Sequence, residues 1–277
     1  MSAPQLAAWD GTRNNLKEIR PLSDEEIKKD IVFREQFSEA QNRLKLFQIL
    51  ELNYREWTAH QRKLLTAGPR KEDDHLLFDR LMYNFLASAY GVMAHFEVSY
   101  KQRYKKDPAK LAEYKSFLRQ FCETSWASAF FMDFRNYAQH FALPIGHCSR
   151  NESTHSIKIS ITHNAAQLVN EYSGWKRSRL TAEHGDLDLI SLTEEYFQRL
   201  RIDYAAFVVK YFYPELKEID AFYWGLTQEV REKFPGARMV FLTEKEEKKD
   251  RARISFRWSF EQPPNCVFEE LGLSHAR

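Results

Sequence analysis

The stretch Thr124 to Gly146, TSWASAFFMDFRNYAQHFALPIG, decides how the chain is read. Trp126, Phe130, Phe131, Phe134 and Phe141 recur at helical spacing, which predicts a core-facing helix capped by Thr124 or Ser125 and stopped by Pro144 and Gly146. Near its C-terminal end this apolar helix carries Arg135, Asn136 and His140. A guanidinium and an imidazole among buried aromatics must either find partners or open onto a groove. Asn136 and His140 are four residues apart and stack on one face. The long stem of Arg135 can bring its guanidinium to the same groove from the flank.

The run Arg135-Asn136-Tyr137-Ala138-Gln139-His140 resembles the Arg-polar-spacer-His signature of HEPN domains, with four residues between Arg and His and a polar residue directly after the Arg. The resemblance covers this helix and, loosely, the helical architecture around it. It implies a helical bundle acting as a metal-independent endoribonuclease of toxin or defence systems, with a composite active site at a homodimer interface. It further implies that Arg135, Asn136 and His140 are catalytic, that no metal or other cofactor is needed, and that RNA, a second copy and an antitoxin or defence protein are the partners.

The residue types suit that chemistry. RNA brings its own 2′-hydroxyl nucleophile, so the protein need only move protons and stabilise charge on the phosphorane. An imidazole such as that of His140 can take or give such a proton, and the guanidinium of Arg135 is a permanent, bidentate cation for phosphate oxygens. Asn136 fixes the imidazole tautomer or holds the ribose. One motif supplies one imidazole, and a two-fold dimer supplies both the base and the acid. Phe134, Tyr137 and Phe141 would then be interface, although at helical spacing they also read as core. The competing reading is non-catalytic: Arg135 and His140 cap the last carbonyls and complement the helix dipole, within a helical RNA-binding or protein-interaction module.

Composition sets the frame. The 277 residues are 43% apolar and 29% charged, with 21 Phe and 13 Tyr but only 9 Gly and 9 Pro, which predicts long helices with few irregular loops. A net charge of +2 gives no global field, so any nucleic-acid binding must come from local patches. Cys122, Cys148 and Cys266 are odd in number and widely spaced, which fits a reducing cytoplasm better than a disulfide framework. No run of roughly 18 apolar residues is present, and no membrane association is expected.

The expected fold class is mainly α (α+β), an antiparallel helical bundle carrying a small antiparallel β-sheet. Residues 1–22 read as a loosely ordered lead-in, and Ser23 with Glu26 as a capping box opening a helix to about Leu65. Further helices are predicted for Asp73–Lys106, Ala109–Cys122, Leu192–Tyr213, ending at Pro214, and Glu215–Phe234. The helical domain thus spans 23–235, with a β excursion near 155–163 where Ile157, Ile159 and Ile161 alternate with Lys158 and Ser160. Residues 236–277 form a β-hairpin and tail, the hairpin pairing with the mid-chain strand. Residues 164–185 read ambiguously and include a basic cluster at Lys176, Arg177 and Arg179.

Two basic stretches are candidate RNA contacts. Lys101, Arg103, Lys105 and Lys106 are interleaved with Tyr100 and Tyr104, and Arg253 and Arg257 share a face of the last strand. A cation-stabilised helix end and a charged sheet edge explain them as well. His147, Cys148, His155 and His163 match no zinc spacing. No phosphate-cradling glycine loop or G-x-S-x-G elbow occurs, which removes the commonest NTPase and hydrolase classes.

Overall fold

The computed structural model describes residues 4–11, 16–66, 73–153, 156–246 and 253–258. The chain divides into two compact units, residues 43–208 and residues 1–42 with 209–277. In the first, α4 (Trp126–His140) packs against α2 (Asp74–Arg103), α3 (Pro108–Glu123) and α6 (Leu189–Arg199). Its position follows from its sequence: Ala127, Ala129, Phe130, Phe131, Phe134, Tyr137 and Ala138 are all buried, so only a ring of neighbours can satisfy it. Each large side chain so buried contributes roughly 1.5–3 kcal/mol.

Local chemistry sets the helix ends. The Ser125 hydroxyl accepts from the Ser128 amide at 3.1 Å and donates to Glu195 at 2.7 Å, tying the start of α4 to α6. Asp107 caps α3 ahead of Pro108, and Asp188 caps α6. At the other end of α4, the Ile145 amide donates to the buried Asp79 of α2 at 2.9 Å. Gly146 then passes so close to His163 that an added Cβ would meet its ring at 3.0 Å.

A three-stranded antiparallel sheet, ordered β3 (His147–Glu152), β4 (Ile157–Asn164), β5 (Asp186–Asp188), completes this unit with the short helix α5 (Ala165–Glu171). Strand β4 is the alternating isoleucine stretch expected from sequence. A π-helical turn, Leu200–Tyr204, joins α6 to α7 (Ala205–Lys233). The Tyr204 hydroxyl there donates to the Met93 carbonyl at 3.2 Å and lies 3.2 Å from the Tyr114 hydroxyl, so the irregular turn is held by buried polar contacts.

The second unit holds a sheet ordered β2 (Leu16–Pro21), β1 (Gln5–Trp9), β6 (Arg238–Glu246), β7 (Arg253–Trp258). Both sheets are antiparallel. Their separation corrects one expectation, because the C-terminal hairpin pairs with β1 and not with β4. It also corrects the lead-in. Residues 5–9 form a central strand whose Leu6, Ala7 and Ala8 are buried on pairing, a run too short and too rich in alanine to stand out in sequence. A third correction concerns Pro214, since α7 runs through it. Proline lacks one amide, and a helix of 29 residues survives the loss of one hydrogen bond.

Helix α1 (Asp24–Thr66) contributes to both units. Its buried positions 30, 37, 40, 47, 50, 57, 60 and 64 fall three, four or seven apart, a narrow seam of heptad type. The expected capping box is present, the Ser23 amide donating to Glu26 at 2.8 Å and the Glu26 amide to Ser23 at 3.2 Å. The break expected after Leu65 lies outside the described residues, as do residues 247–252 between β6 and β7 and the tail from 259 onward.

One cation organises the second unit. Arg20 of β2 donates to Glu26 of α1 at 2.7 and 2.8 Å, and to Glu229 of α7 at 2.8 and 2.9 Å. The hydrogen bond from Arg20 draws the Glu26 carboxyl down to about 2, and the same guanidinium lowers Glu229. Depressed carboxyls stabilise the folded state above their unfolded value and lose that contribution on acidification. The thermal stability of the wild type should therefore fall as pH drops from the ordinary glutamate value of 4.5 toward about 2. In Arg20→Gln that fall should be visibly shallower; parallel curves would show that the clamp carries no stability.

Candidate functional site

The candidate site is built on α4, whose residues diverge in surroundings according to their angle about the helix axis. Trp126, Asp133 and His140 recur every seven residues and lie on nearly one line along the helix. Arg135 precedes His140 by five residues and therefore sits about 140° away. The two motif side chains leave the helix in different directions.

Arg135 is half-buried and lies across the face of Tyr90 of α2, its guanidinium carbon 3.5 Å from the ring centroid. Its Nη1 donates to Asn136 at 3.0 Å, while its buried Nε has no partner. His140 is exposed at the last helical position. Among the described residues its imidazole has no hydrogen-bond, ion-pair or ring partner, and neither it nor Arg135 donates to a carbonyl at the end of α4. The structure brings Arg135 to Asn136 and leaves His140 accessible one turn beyond them. The expected interface aromatics divide: Phe134 and Tyr137 are fully buried, a correction that follows from the packing of α4, whereas Phe141 is exposed.

Asp133 is the most demanding group on the helix, a carboxylate with 1% exposure. It is satisfied by a single segment that the sequence left undetermined. The Arg177 and Ser178 amides donate to Asp133 at 2.8 and 2.9 Å, the Ser178 hydroxyl at 3.1 Å, and Arg177 Nη1 at 3.3 Å. The Trp126 indole donates to the Ser178 carbonyl at 3.0 Å. Trp175 is buried against Phe130, Phe134 and Tyr137, its own indole donating to Leu168 at 3.1 Å. So fastened, the segment holds Arg179 at φ 49°, a left-handed conformation costing a non-glycine residue roughly 1–2 kcal/mol.

Tyr137 donates a short hydrogen bond to Glu171 at the end of α5. Burial raises the Tyr137 hydroxyl, and Glu171, receiving that bond, is lowered. His163 of β4 is 2% exposed, its ring edge-on to Phe134 and Tyr137, and burial lowers it toward the neutral form. His60 of α1 lies 3.5 Å from Asp74, and burial lowers it too. His75 reaches the Ile145 carbonyl at 3.1 Å.

Of the expected RNA contacts, Lys101 is paired with Glu97, and Arg103 lies over Tyr104 at 5.8 Å. Lys105 and Lys106 are exposed just beyond α2. Arg253 and Arg257 are placed on β7 by backbone register, opposite Glu246 and Phe241. His147 and Cys148 stand on β3 opposite Thr162 and Ile161 of β4, and His155 lies outside the described residues. Among the described residues no group of three or more His, Cys, Asp or Glu is placed to hold a metal ion, and no helix is long and apolar enough to cross a membrane.

No protein-family model matches the chain, and neither a curated protein nor a solved structure is found to match it.

Sequence reasoning missed the role of Asp133 and of residues 175–178. The available signal was an acidic residue in an otherwise aromatic helix, which demands donors from elsewhere. Replacing it by Asp133→Ala leaves two amides and a hydroxyl buried without an acceptor. The expected loss is about 3–5 kcal/mol in urea unfolding. Fast hydrogen exchange at the Arg177 and Ser178 amides should accompany it, and unchanged protection there would contradict the clamp.

Proposed function

We propose that the chain is a metal-independent endoribonuclease of HEPN type, cleaving RNA by attack of the 2′-hydroxyl on the adjacent phosphate. The observation that carries this reading is the state of His140: an exposed, unpartnered imidazole at the end of a rigid core helix, one turn past an arginine already fixed in direction by Tyr90 and Asn136. In that reading His140 takes the 2′-proton as the phosphorane forms, or returns one to the 5′-oxygen as it leaves. Arg135 neutralises the developing charge, and Asn136, bonded to it, sets its orientation. Three widely spaced cysteines, Cys122, Cys148 and Cys266, suit a reducing, cytoplasmic setting. A role as toxin or defence effector, with a partner antitoxin or defence protein, follows the resemblance of the motif.

A second copy completes the site. With Arg135 and His140 about 140° apart on one helix, a single chain does not present them side by side, and a two-fold partner does. Helix α2 supplies a face for it. Leu76, Tyr83, Tyr90 and Val98 are 66, 41, 46 and 55% exposed, and with Arg80, Ala87 and Ala94 they recur every three or four residues. Paired antiparallel with itself about Ala87, this stripe sets Leu76 opposite Val98 and Arg80 opposite Ala94. A Cβ on Gly91 would meet nothing within 4 Å, so the groove beside Tyr90 is open to a partner side chain. Ala87→Arg should convert a species of twice the 32.9 kDa chain mass into monomer by sedimentation. A wild type that sediments as a monomer removes the composite site.

The alternative, a non-catalytic RNA-binding or protein-interaction module, draws on the same stacking of Arg135 against Tyr90, which is also a stable structural contact. RNA cleavage in EDTA separates the two. The nuclease reading expects strand scission by the wild type and a loss of at least about a hundredfold in His140→Ala, whose exposed position leaves folding intact. Equal rates for the two proteins, or activity that EDTA abolishes, would sink it.

A further inference from the structure

The line Trp126–Asp133–His140 does not end in Arg135, but it does meet cations. The segment bonded to Asp133 exposes Lys176, Arg177 and Arg179 between the buried anchors Trp175, Ser178 and Leu180. Among the described residues Lys176 and Arg179 have no acidic partner. Glu171 is bonded to Tyr137 and Gln167, Asp186 to Asn164 and Asp133 to the segment itself, while the exposed Glu123 and Glu183 make no ion pair with Lys176 or Arg179 among the described residues. Backbone strain at Arg179 persists only because the anchors over-determine it, and such strain gathers where a side chain must be presented in one direction.

An aromatic platform adjoins these cations. The Trp126 indole, hydrogen-bonded to the Ser178 carbonyl, stacks on the His184 imidazole with centroids 5.1 Å apart and planes at 15°. Trp126 also stacks on Phe130, and His184 is exposed, so a further ring has a face to add to. Rings and unpaired cations held side by side recognise bases and phosphates together, and a base offers its face only when it is unpaired.

We propose that the Trp175–Leu180 segment and the Trp126–His184 pair form the binding element for single-stranded RNA, leading the strand along α4 to His140. Trp126, Asp133 and His140 stand roughly 10 Å apart in turn along the helix, so a strand stacked at His184 passes Arg177 before it reaches the imidazole. The choice of RNA as ligand rests on the nuclease reading. The stacking platform and the unpaired cations do not.

The test measures anisotropy of a labelled 15-nucleotide single-stranded RNA and of its duplex, over a range of salt, in His140→Ala protein so that the strand stays whole. The triple variant Lys176→Gln, Arg177→Gln, Arg179→Gly removes three cations, keeps the amides that bind Asp133 and places glycine where φ is positive. Lys176→Glu alone serves if the triple variant does not fold. The single strand should bind more tightly than the duplex. The triple variant should lose at least about tenfold at low salt, with a salt slope shallower by roughly two, and Lys176→Glu should weaken binding in the same direction. Unchanged affinity in a folded variant, preference for the duplex, or no RNA binding would overturn the assignment. Cleavage by protein retaining His140 is read separately. Binding that fails in the triple variant while no cleavage is seen in wild type keeps the element and removes the nuclease. Cleavage with binding indifferent to these cations does the reverse.

Discussion

A single carboxylate, Asp133, sets the terms for the centre of residues 43–208. Taking a charge out of water into a helix of phenylalanines is tolerable only when donors close over it, and here four donors come from two consecutive residues, Arg177 and Ser178. That requirement fixes where residues 172–181 run. With the segment fixed, Trp175 fills the space above Phe130 and Phe134, Trp126 finds an acceptor for its indole, and α5 is brought to where Glu171 meets Tyr137. Polar necessity at one residue thereby organises aromatic packing around it.

The same logic explains why much of the bundle was legible in the sequence. Capping residues and apolar periodicity act over four residues, and the starts of α1, α3 and α4 follow from Ser23, Asp107 and Ser125. The isoleucine alternation of β4 is equally local. Pairing is not local. Nothing in Leu6-Ala7-Ala8 announces a partner at Met239–Phe241, so the sheet containing β1 could not be read, and the C-terminal hairpin was assigned to the wrong neighbour. The polar strand β3, His147–Glu152, likewise exists because β4 offers an edge, not because its residues favour extension. The motif residues were legible as types and spacing, yet their directions were not, since Arg135 is turned by Tyr90, a residue 45 positions earlier in the chain.

Residues 1–42 with 209–277 use a different solution. Their sheet and helix segments are joined by Arg20, which donates to Glu26, to Glu229 and to the Pro21 carbonyl, and by Tyr223, whose hydroxyl donates to the buried Asp30 at 2.8 Å while Arg34 holds the same carboxylate at 2.8 Å. Ion pairs at the surface contribute little one at a time. A fork that fastens a strand to two helices does more because ordering one side chain fixes three elements. Acidity should loosen this unit through Glu26 and Glu229, whose carboxyls the Arg20 guanidinium draws below their ordinary value.

In the proposed nuclease, an imidazole at the end of a core helix reconciles two opposed demands. Chemistry on a phosphodiester needs a side chain whose position is set to a fraction of an ångström, yet a group within the core would be neutral, desolvated and out of reach, as His163 is. α4 meets both conditions by passing from full burial at Tyr137 to an exposed His140 within one turn, so the backbone inherits the rigidity of the core while the imidazole is open to water. The residues that must not move are those behind it: Tyr137 tied to Glu171, and Ile145 tied to Asp79, whose buried carboxyl is raised by desolvation. Under the nuclease reading such a site depends less on the identity of exposed neighbours than on the packing behind the helix end, and substitutions at Tyr137 or Asp79 act on His140 through its position.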